Sequence, residues 1–322
     1  MHTGTMSAAF RSTAVVGAGA VGSFFGAMLA RAGHPVTLIG RAAHAQAIAR
    51  HGLQLHRAGG VEAVRMVASD DLAALRGADL VLFCVKSTDT EAVARQIAPL
   101  LDADAVVLSL QNGVDNAATI ARHVVQPVVP TVVYVATAMP GPGVVRHFGR
   151  GDLVIGPLDA AAAGNAVLQL RLRDVAALFE SAGVPVRISP DVMGELWSKL
   201  MVNCAYNAIS ALVQQPYGRM AALPAIRETQ RAVVREVVAV AQADGQSLTL
   251  EAAMEAMERI ATAMPGQLSS TAQDLARGKP TEIDHLNGFV ARRGAELGIA
   301  TPVNQALHAL VKLAEAGRSG AA

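Results

Sequence analysis

Short apolar runs alternate with amphipathic stretches through the first part of the chain, and beyond it only amphipathic stretches follow. Apolar runs of strand length predict strands at 13–16, 35–39, 79–85, 105–110, 127–137 and 185–188. Helical periodicity lies between them at 21–32, 42–50, 88–101 and 166–182, and hairpins are expected at 52–67 and 140–148. Later helices are predicted at 191–212, 224–244, 250–263, 282–297 and 303–316.

This pattern predicts an α/β fold class, because strands that alternate with helices form a mostly parallel sheet covered by those helices. We expect a Rossmann-type sheet domain at 13–189, followed by an all-α C-terminal domain at 190–316. Residues 1–12 and 317–322 are expected to be a flexible extension and a flexible tail.

The first predicted strand runs into a glycine loop, residues 17–22, with the sequence Gly17-Ala18-Gly19-Ala20-Val21-Gly22. In such a G-x-G-x-x-G loop the first glycine allows a sharp turn and the second lets a pyrophosphate approach. The third lets the following helix pack close to the strand. The amides and positive dipole end of that helix then face the phosphates. We interpret all six residues as a dinucleotide site, with a phosphate-free turn as the alternative.

The second predicted strand ends in Gly40-Arg41, where NAD-specific sites carry an acidic residue that binds the ribose hydroxyls. A carboxylate there would repel a 2′-phosphate, whereas an arginine can pair with it. Arg41 therefore favours NADP as the cofactor, and an ordinary solvated side chain is the alternative.

Polar residues also follow the next two predicted strands. Lys86 comes directly after the run 79–85, and Gln111-Asn112-Gly113 follows the run 105–110. Because ligands bind beyond the carboxyl ends of strands in doubly wound sheets, we place Lys86 and Asn112 at one site. Each has a plainer interpretation, Lys86 as a surface residue that opens a helix and Asn112 as part of an Asn-Gly turn.

The first helix of the second domain carries a polar stripe. Lys199, Asn203 and Asn207 are spaced i, i+4, i+8 on an otherwise apolar helix, so they share one face. Asparagine is a poor helix former and costly to bury, so the stripe needs polar partners, and a polar substrate is one candidate. For Lys199 the alternative is a salt bridge with Glu195, one turn earlier.

Two later segments carry further candidate residues. Ser269-Ser270 can either cap a helix or contact a ligand, and the run 281–284, Thr-Glu-Ile-Asp, looks like a helix entrance. There Thr281 would be the N-cap residue, with Asp284 completing a capping-box-like start. Glu282 in that first turn would then only complement the helix dipole.

Composition excludes several function classes. The 322-residue chain has a net charge of +1, which does not indicate a nucleic-acid or anionic-membrane partner. We find no uninterrupted apolar stretch of about 18 residues, the length that a membrane span needs. The two cysteines, Cys84 and Cys204, form no C-x-x-C pair, so we expect no metal site, no disulfide framework and a cytoplasmic location.

Taken together, these residues resemble the ketopantoate reductase (2-dehydropantoate 2-reductase) family from Thr13 to about Leu313. The motifs that carry the resemblance are Val85-Lys86, Gln111-Asn112-Gly113, Trp197-x-Lys199-x-x-x-Asn203-x-x-x-Asn207, and Ser270 followed by Glu282 in Thr-Glu-Ile-Asp. The chain departs from the family pattern at Tyr217-Gly218, where an asparagine often precedes the glycine. It departs again at Thr271, where a bulky apolar residue is common.

The resemblance implies reduction of 2-dehydropantoate to (R)-pantoate by NADPH, a step toward pantothenate and coenzyme A. Lys199 matches the family's catalytic lysine, which polarises the C2 carbonyl and donates the proton. Glu282, which we place at both the catalytic and cofactor-binding positions, matches a glutamate that binds substrate and supports the lysine. The remaining matches are substrate-hydroxyl asparagines at Asn203 and Asn207, a carboxylate-binding serine at Ser270, and neighbours of nicotinamide and substrate at Lys86 and Asn112.

Three other functions stay open. The substrate can be another small 2-oxo acid, or the chain can be a different β-hydroxyacid or 6-phosphogluconate-like dehydrogenase, although the usual glycine-rich substrate motif is not found. A non-enzymatic NADP-binding regulator would keep the glycine loop but need neither Lys199 nor Glu282.

The apolar helices of the second domain can pack on each other or on a second subunit, and we expect a homodimer.

Overall fold

The computed structural model describes residues Phe10–Ser319. They fall into two compact units, divided between Val192 and Met193. The first unit is built on a ten-stranded sheet. In the described part of the second unit, every regular element is a helix. The predicted fold class, a mostly parallel sheet unit followed by a helical one, is confirmed.

The sheet is parallel through its centre. Its strands are β1 (Thr13–Val16), β2 (Val36–Ile39), β3 (Leu53–Arg57), β4 (Gly60–Val64), β5 (Val67–Ser69), β6 (Leu80–Phe83), β7 (Val106–Ser109), β8 (Val128–Gly141), β9 (Val144–Ile155) and β10 (Val186–Ile188). They lie in the order β4-β3-β9-β8-β7-β6-β1-β2-β5, with β10 beside β9. Pairs from β8 to β5 are parallel, and β8–β9 and β3–β4 are antiparallel. The strands β1, β6 and β7 are buried along their whole length, as strands covered on both faces are.

The remaining regular elements of the described chain are helices and short 3₁₀ turns. The first six are α1 (Ala20–Arg31), α2 (Ala42–His51), α3 (Thr90–Ile97), α4 (Asn116–Ala121), α5 (Ala160–Ala163) and α6 (Ala166–Ser181). The others are α7 (Val192–Val213), α8 (Tyr217–Ala221), α9 (Pro224–Ala243), α10 (Leu250–Ala263), α11 (Ser270–Ala276), α12 (Asn287–Leu297) and α13 (Pro302–Ser319). Within residues 10–319, none of these helices combines the length and apolar character that crossing a membrane requires.

One helix entrance differs from the sequence-based expectation. The segment 282–297 is a 3₁₀ turn at Ile283–His285 followed by α12, which begins only at Asn287. The N-cap residue of this turn is Glu282 and not Thr281, although Thr281 Oγ1 accepts from the Ile283 amide at 3.2 Å. The capping-box interpretation of Asp284 is wrong, because its carboxylate bonds side chains of α13 instead. The helices α4, α5 and α8 were not predicted, and α11 was anticipated only through a possible cap at Ser269-Ser270, because helices this short show too little periodicity.

The chain before β1 is held against the first unit. Phe10 is buried in the core, and the amides of Arg11 and Ser12 donate to the Asp79 carboxylate at 2.9–3.1 Å. These residues belong to the segment that was expected to be a flexible extension. The rest of that extension, residues 1–9, and residues 320–322 of the expected tail lie outside the described residues. The helix α13 continues through the start of that tail to Ser319.

Candidate active site

Two glycines of the glycine loop are required by the fold itself. Gly17 has φ +101°, and a Cβ built there would lie 2.5 Å from the Val85 nitrogen. A Cβ on Gly22 would lie 2.4 Å from the Gly17 carbonyl oxygen and 2.9 Å from Cγ1 of Val15. Neither position has room for a side chain, so the loop turns sharply and α1 packs tightly on β1.

Gly19 is different, because nothing in the protein occupies the space beside it. A Cβ built on Gly19 would meet no atom within 4 Å. Gly19 is the N-cap residue of α1, and no side chain caps this helix end. The first amides of a helix have no intrahelical acceptor, so they can bind an anion. The loop therefore fits a dinucleotide pyrophosphate, which would occupy the space that a Cβ would fill.

Arg41 lies beside this loop, at the carboxyl end of β2. The preceding residue, Gly40, packs so closely that a Cβ on it would lie 2.4 Å from the Cβ of Ala18. Arg41 itself is exposed and is the N-cap residue of α2. A cationic side chain thus stands next to the loop, where the adenosine ribose lies in Rossmann-type folds.

A buried hydrogen-bond network joins the chain after β6 to the chain after β7. Gln111 Nε2 donates to the Val85 carbonyl at 3.0 Å and to Thr90 Oγ1 at 2.7 Å. The Asn112 carbonyl accepts from Asn116 Nδ2 at 2.6 Å. This network gives the segment Gln111-Asn112 a structural function beside any contact with a ligand.

The structure brings Lys86 and Asn112 to the same edge of the sheet. The strands that precede them, β6 and β7, pair in parallel, and Lys86 opens the 3₁₀ turn Ser87–Asp89. Ser87 Oγ donates to the Asn112 carbonyl at 3.1 Å, which ties the two strand ends together. Lys86 therefore directly precedes Ser87, the residue that contacts Asn112.

In the second unit, the three polar residues of the stripe lie on α7. Lys199 and Asn203 are partly exposed, whereas Asn207 is only 2% exposed. The neighbouring Trp197 and Leu200 are buried. Solvent can therefore reach the Lys199 and Asn203 side chains of this apolar helix, whereas the Asn207 amide is buried two turns after Lys199.

The buried amide of Asn207 is held by Tyr217, whose hydroxyl donates to Asn207 Oδ1 at 3.4 Å. Burial raises the pKa of the Tyr217 hydroxyl, so it stays a protonated donor at neutral pH. The Tyr217 amide donates to the Gln267 carbonyl at 3.0 Å, which fixes the start of α8. The sequence marks Tyr217 only as a departure from a family pattern, and that departure is the signal that could have pointed to this contact.

The adjacent serines before and at the start of α11 have different environments. Ser269 is buried and is the N-cap residue, since its Oγ accepts from the Ala272 amide at 3.0 Å. The same hydroxyl donates to the Asn207 carbonyl at 3.2 Å, which links α11 to α7. Ser270 is exposed. The helix-cap interpretation therefore applies to Ser269, and Ser270 is the solvent-accessible member of the pair.

Glu282 lies between α11 and α12 in a segment that α13 holds in place. The Thr281 amide, directly before it, donates to Glu315 Oε1 at 2.7 Å. Two residues after Glu282, Asp284 bonds the α13 side chains of His308, at 2.6 Å, and Lys312, at 2.9 Å. Contacts on both sides therefore restrain the backbone that carries Glu282, which is itself partly buried.

Asp284→Asn should reveal how much this restraint contributes. Partial burial raises the pKa of Asp284, but hydrogen bonds from His308 and Lys312 outweigh it and hold the pKa below its ordinary value of 3.8. The ionised carboxylate therefore stabilises the fold at neutral pH, and this contribution is lost as the pH falls below 3.8 and through the lower folded pKa. We expect the substitution to lower the free energy of unfolding by about 1 kcal/mol at neutral pH.

Urea unfolding of both proteins at several pH values measures this difference, which should shrink in acid. The exposed Glu251 on α10, changed to Gln, provides a control for the loss of a carboxylate. A difference that stays constant as the pH falls would show that the charge of Asp284 does not stabilise the segment.

Comparison with known proteins places both units in one family. Residues 13–160 match the family model described as ketopantoate reductase PanE/ApbA. Residues 191–315 match the model of its C-terminal part. A 2-dehydropantoate 2-reductase of Halobacterium salinarum is 36% identical over 94% of this chain and 98% of that protein.

Solved structures extend the similarity. A PanE/ApbA family ketopantoate reductase from Ralstonia eutropha JMP134 is 52% identical, with a TM-score of 0.88 and coverage of 96% of this chain and 99% of that one. A D-mandelate dehydrogenase with NADH and anilino(oxo)acetate is 26% identical, with a TM-score of 0.89 over 96% and 99% of the two chains. Since the family models match most of the chain and a relative above 30% identity spans it, this protein belongs to the ketopantoate reductase family.

Proposed function

We propose that this protein reduces 2-dehydropantoate to (R)-pantoate with NADPH. The observation that carries the proposal is the stripe of Lys199, Asn203 and Asn207 on α7 in a member of this family. It combines a cation that can donate a proton with two amides that can bind hydroxyl groups, and both chemistries are needed to reduce a hydroxylated 2-oxo acid.

The residues take the following roles in the proposed reaction. NADPH, when held by the glycine loop, would supply the hydride that reduces the C2 carbonyl carbon. Lys199 would polarise the carbonyl oxygen, stabilise the alkoxide and donate the proton to it. Glu282 would support Lys199 and contact both substrate and cofactor. Asn203 and Asn207 would bind the substrate hydroxyls, and Ser270 would bind the substrate carboxylate. Lys86 and Asn112 would lie beside the nicotinamide and the substrate.

The cofactor is assigned from the first unit. The backbone of the glycine loop, including Ala18, Ala20 and Val21, would hold the pyrophosphate, and the open space beside Gly19 supports this. Arg41 would pair with the 2′-phosphate that distinguishes NADPH from NADH. The exposed position of Arg41 at the start of α2 supports that pairing.

Arg41→Ala tests the cofactor assignment. We expect kcat/KM with NADPH to fall about tenfold to a hundredfold, because a charge-assisted contact with the 2′-phosphate is lost. The value with NADH should change by less than about twofold. Arg50→Ala, which removes a second exposed arginine of α2, is the matched control and should change neither value. An equal loss with both cofactors, or an NADH preference of the unmodified protein, would contradict the assignment.

A steady-state assay decides the substrate. Oxidation of NADPH is followed with 2-dehydropantoate, with a 2-oxo acid that carries a phenyl ring, and with a small unbranched 2-oxo acid. The phenyl compound is included because the D-mandelate dehydrogenase neighbour was solved with anilino(oxo)acetate. The highest kcat/KM is expected with 2-dehydropantoate. A higher kcat/KM with another compound would show that 2-dehydropantoate is not the preferred substrate. Binding of NADPH without turnover of any compound would favour a non-enzymatic NADP-binding regulator.

Assembly and compartment are further parts of the proposal. We propose a homodimer, which the exposed Leu310 and Leu313 of α13 support as apolar contact surface. Light scattering at two protein concentrations measures the mass. We also propose the reducing cytoplasm, since both Cys84 and Cys204 are free thiols. Fractionation of expressing cells checks that location.

A further inference from the structure

A buried histidine links the turn between β8 and β9 to α1 and, through Ser23, to the glycine loop. His44, on α2, is 4% exposed. Its Nδ1 accepts from the backbone amide of Gly143, in the turn between β8 and β9, at 2.8 Å. Its Nε2 lies 3.1 Å from Ser23 Oγ on α1. Ser23 Oγ in turn donates to the carbonyl of Ala18, within the glycine loop, at 3.4 Å.

The partners fix the protonation of this ring. A backbone amide can only donate, so Nδ1 must accept, and the proton of the neutral ring lies on Nε2, where it is donated to Ser23. Burial lowers the pKa of His44, which favours the neutral ring at neutral pH. Every donor in the series Gly143, His44, Ser23, Ala18 then has one acceptor. We refer to this series as the His44 chain.

The Gly143 end of the His44 chain is tightly restrained. A Cβ built on Gly143 would lie 2.8 Å from the Cβ of Ala47, so the hairpin turn packs directly on α2. The Gly143 carbonyl also accepts from the Gln54 amide at 2.8 Å. The turn therefore offers His44 a fixed donor and holds its ring toward α1.

The His44 chain also reaches the helical turn that Arg41 begins. The amides of His44 and Ala45 donate to the Arg41 carbonyl at 2.9 and 3.1 Å, so these residues form one helical turn. Fixing the His44 ring on Ser23 therefore fixes the start of α2 relative to α1, whose N-cap residue is Gly19. These two helix starts carry the proposed contacts to the 2′-phosphate and to the pyrophosphate.

We propose that His44 is a positioning residue that sets the spacing between the glycine loop and Arg41, and so the preference for NADPH over NADH. This proposal rests on the proposed function, because it takes the glycine loop and Arg41 as the contacts to the pyrophosphate and the 2′-phosphate. NADH has no 2′-phosphate and needs only the loop. A change in spacing therefore weakens NADPH binding more than NADH binding, whereas general damage to the fold weakens both.

The test is direct titration of both dinucleotides into the purified protein, followed by their fluorescence. Ser23→Ala removes one hydroxyl, and His44→Asn keeps an acceptor near Nδ1 but has no atom at Nε2. We expect each to raise the Kd for NADPH about tenfold and the Kd for NADH less than twofold. The double variant should resemble the single ones, because each breaks the same link.

His34→Ala is the control, since His34 is a partly exposed histidine of the same unit that bonds Ser181. It should change neither Kd. Equal weakening of both dinucleotides, or unchanged affinities in folded Ser23→Ala, would overturn the role of His44. If His44→Asn fails to fold, Ser23→Ala carries the test alone. An unmodified protein that binds neither dinucleotide would instead refute the proposed function.

Discussion

Lys199→Ala is expected to lower kcat about a thousandfold to ten-thousandfold. Hydride addition creates an alkoxide, and the substitution removes both the positive charge that stabilises it and the proton that neutralises it. The site on α7 suits this chemistry, because Lys199 is partly buried beside the buried Trp197 and Leu200. Single-turnover reduction of 2-dehydropantoate at saturating NADPH measures the chemical step without product release.

The controls for this substitution separate catalysis from structure. The Kd for NADPH and the urea midpoint should stay close to those of the unmodified protein. Lys279→Ala removes an exposed lysine from the same unit and should leave kcat unchanged. Glu195→Gln tests the alternative: a structural salt bridge would make it as destabilising as Lys199→Ala. Near-normal turnover of Lys199→Ala would exclude Lys199 as the general acid.

Gly22→Ala is expected to lose stability, whereas Gly19→Ala is expected to lose affinity for NADPH. On Gly22 the added methyl would overlap the Gly17 carbonyl, 2.4 Å away, and Val15. Relieving that overlap requires a backbone shift, so we expect the free energy of unfolding to fall by about 3 kcal/mol. On Gly19 the methyl enters open space. The free energy of unfolding should then change by less than about 0.5 kcal/mol, while the Kd for NADPH rises about a hundredfold.

Urea unfolding and NADPH titration of both variants measure these effects, and each variant is the control for the other. Normal NADPH affinity in Gly19→Ala would show that no phosphate approaches the backbone there. Unchanged stability in Gly22→Ala would show that α1 can move away from β1 without cost. Weakened binding in a stable protein is therefore the result that identifies Gly19 as a ligand contact.

Much of this architecture could be predicted from local sequence patterns. The apolar runs located β1, β6 and β7, because a strand buried on both faces is apolar over several consecutive residues. The glycine loop was recognisable for a similar reason, since a loop of this type uses its three glycines for a turn, a pyrophosphate and a helix contact within six positions. The stripe on α7 needed only helical periodicity.

The contacts that complete the candidate site could not be predicted in this way. His44 meets Gly143 across 99 positions of sequence, and Tyr217 meets Asn207 around a chain reversal. No periodicity reports such pairs, because they depend on how whole elements pack. Asp284 shows the same limit. Its spacing from Thr281 predicts a capping residue, but its carboxylate bonds His308 and Lys312 of α13 instead.

The close contact between Gly17 and Val85 also has a consequence for the order of folding. The glycine loop directly follows β1, but its turn is shaped against backbone that follows β6, and β1 pairs with β6. The chain between them contains α1, α2 and four strands, so the loop takes its final shape only after a long segment has closed. We therefore expect a dinucleotide to bind only chains in which β1 already pairs with β6. Its binding would then stabilise chains in which this strand pair has formed, and would leave earlier, unpaired chains unaffected.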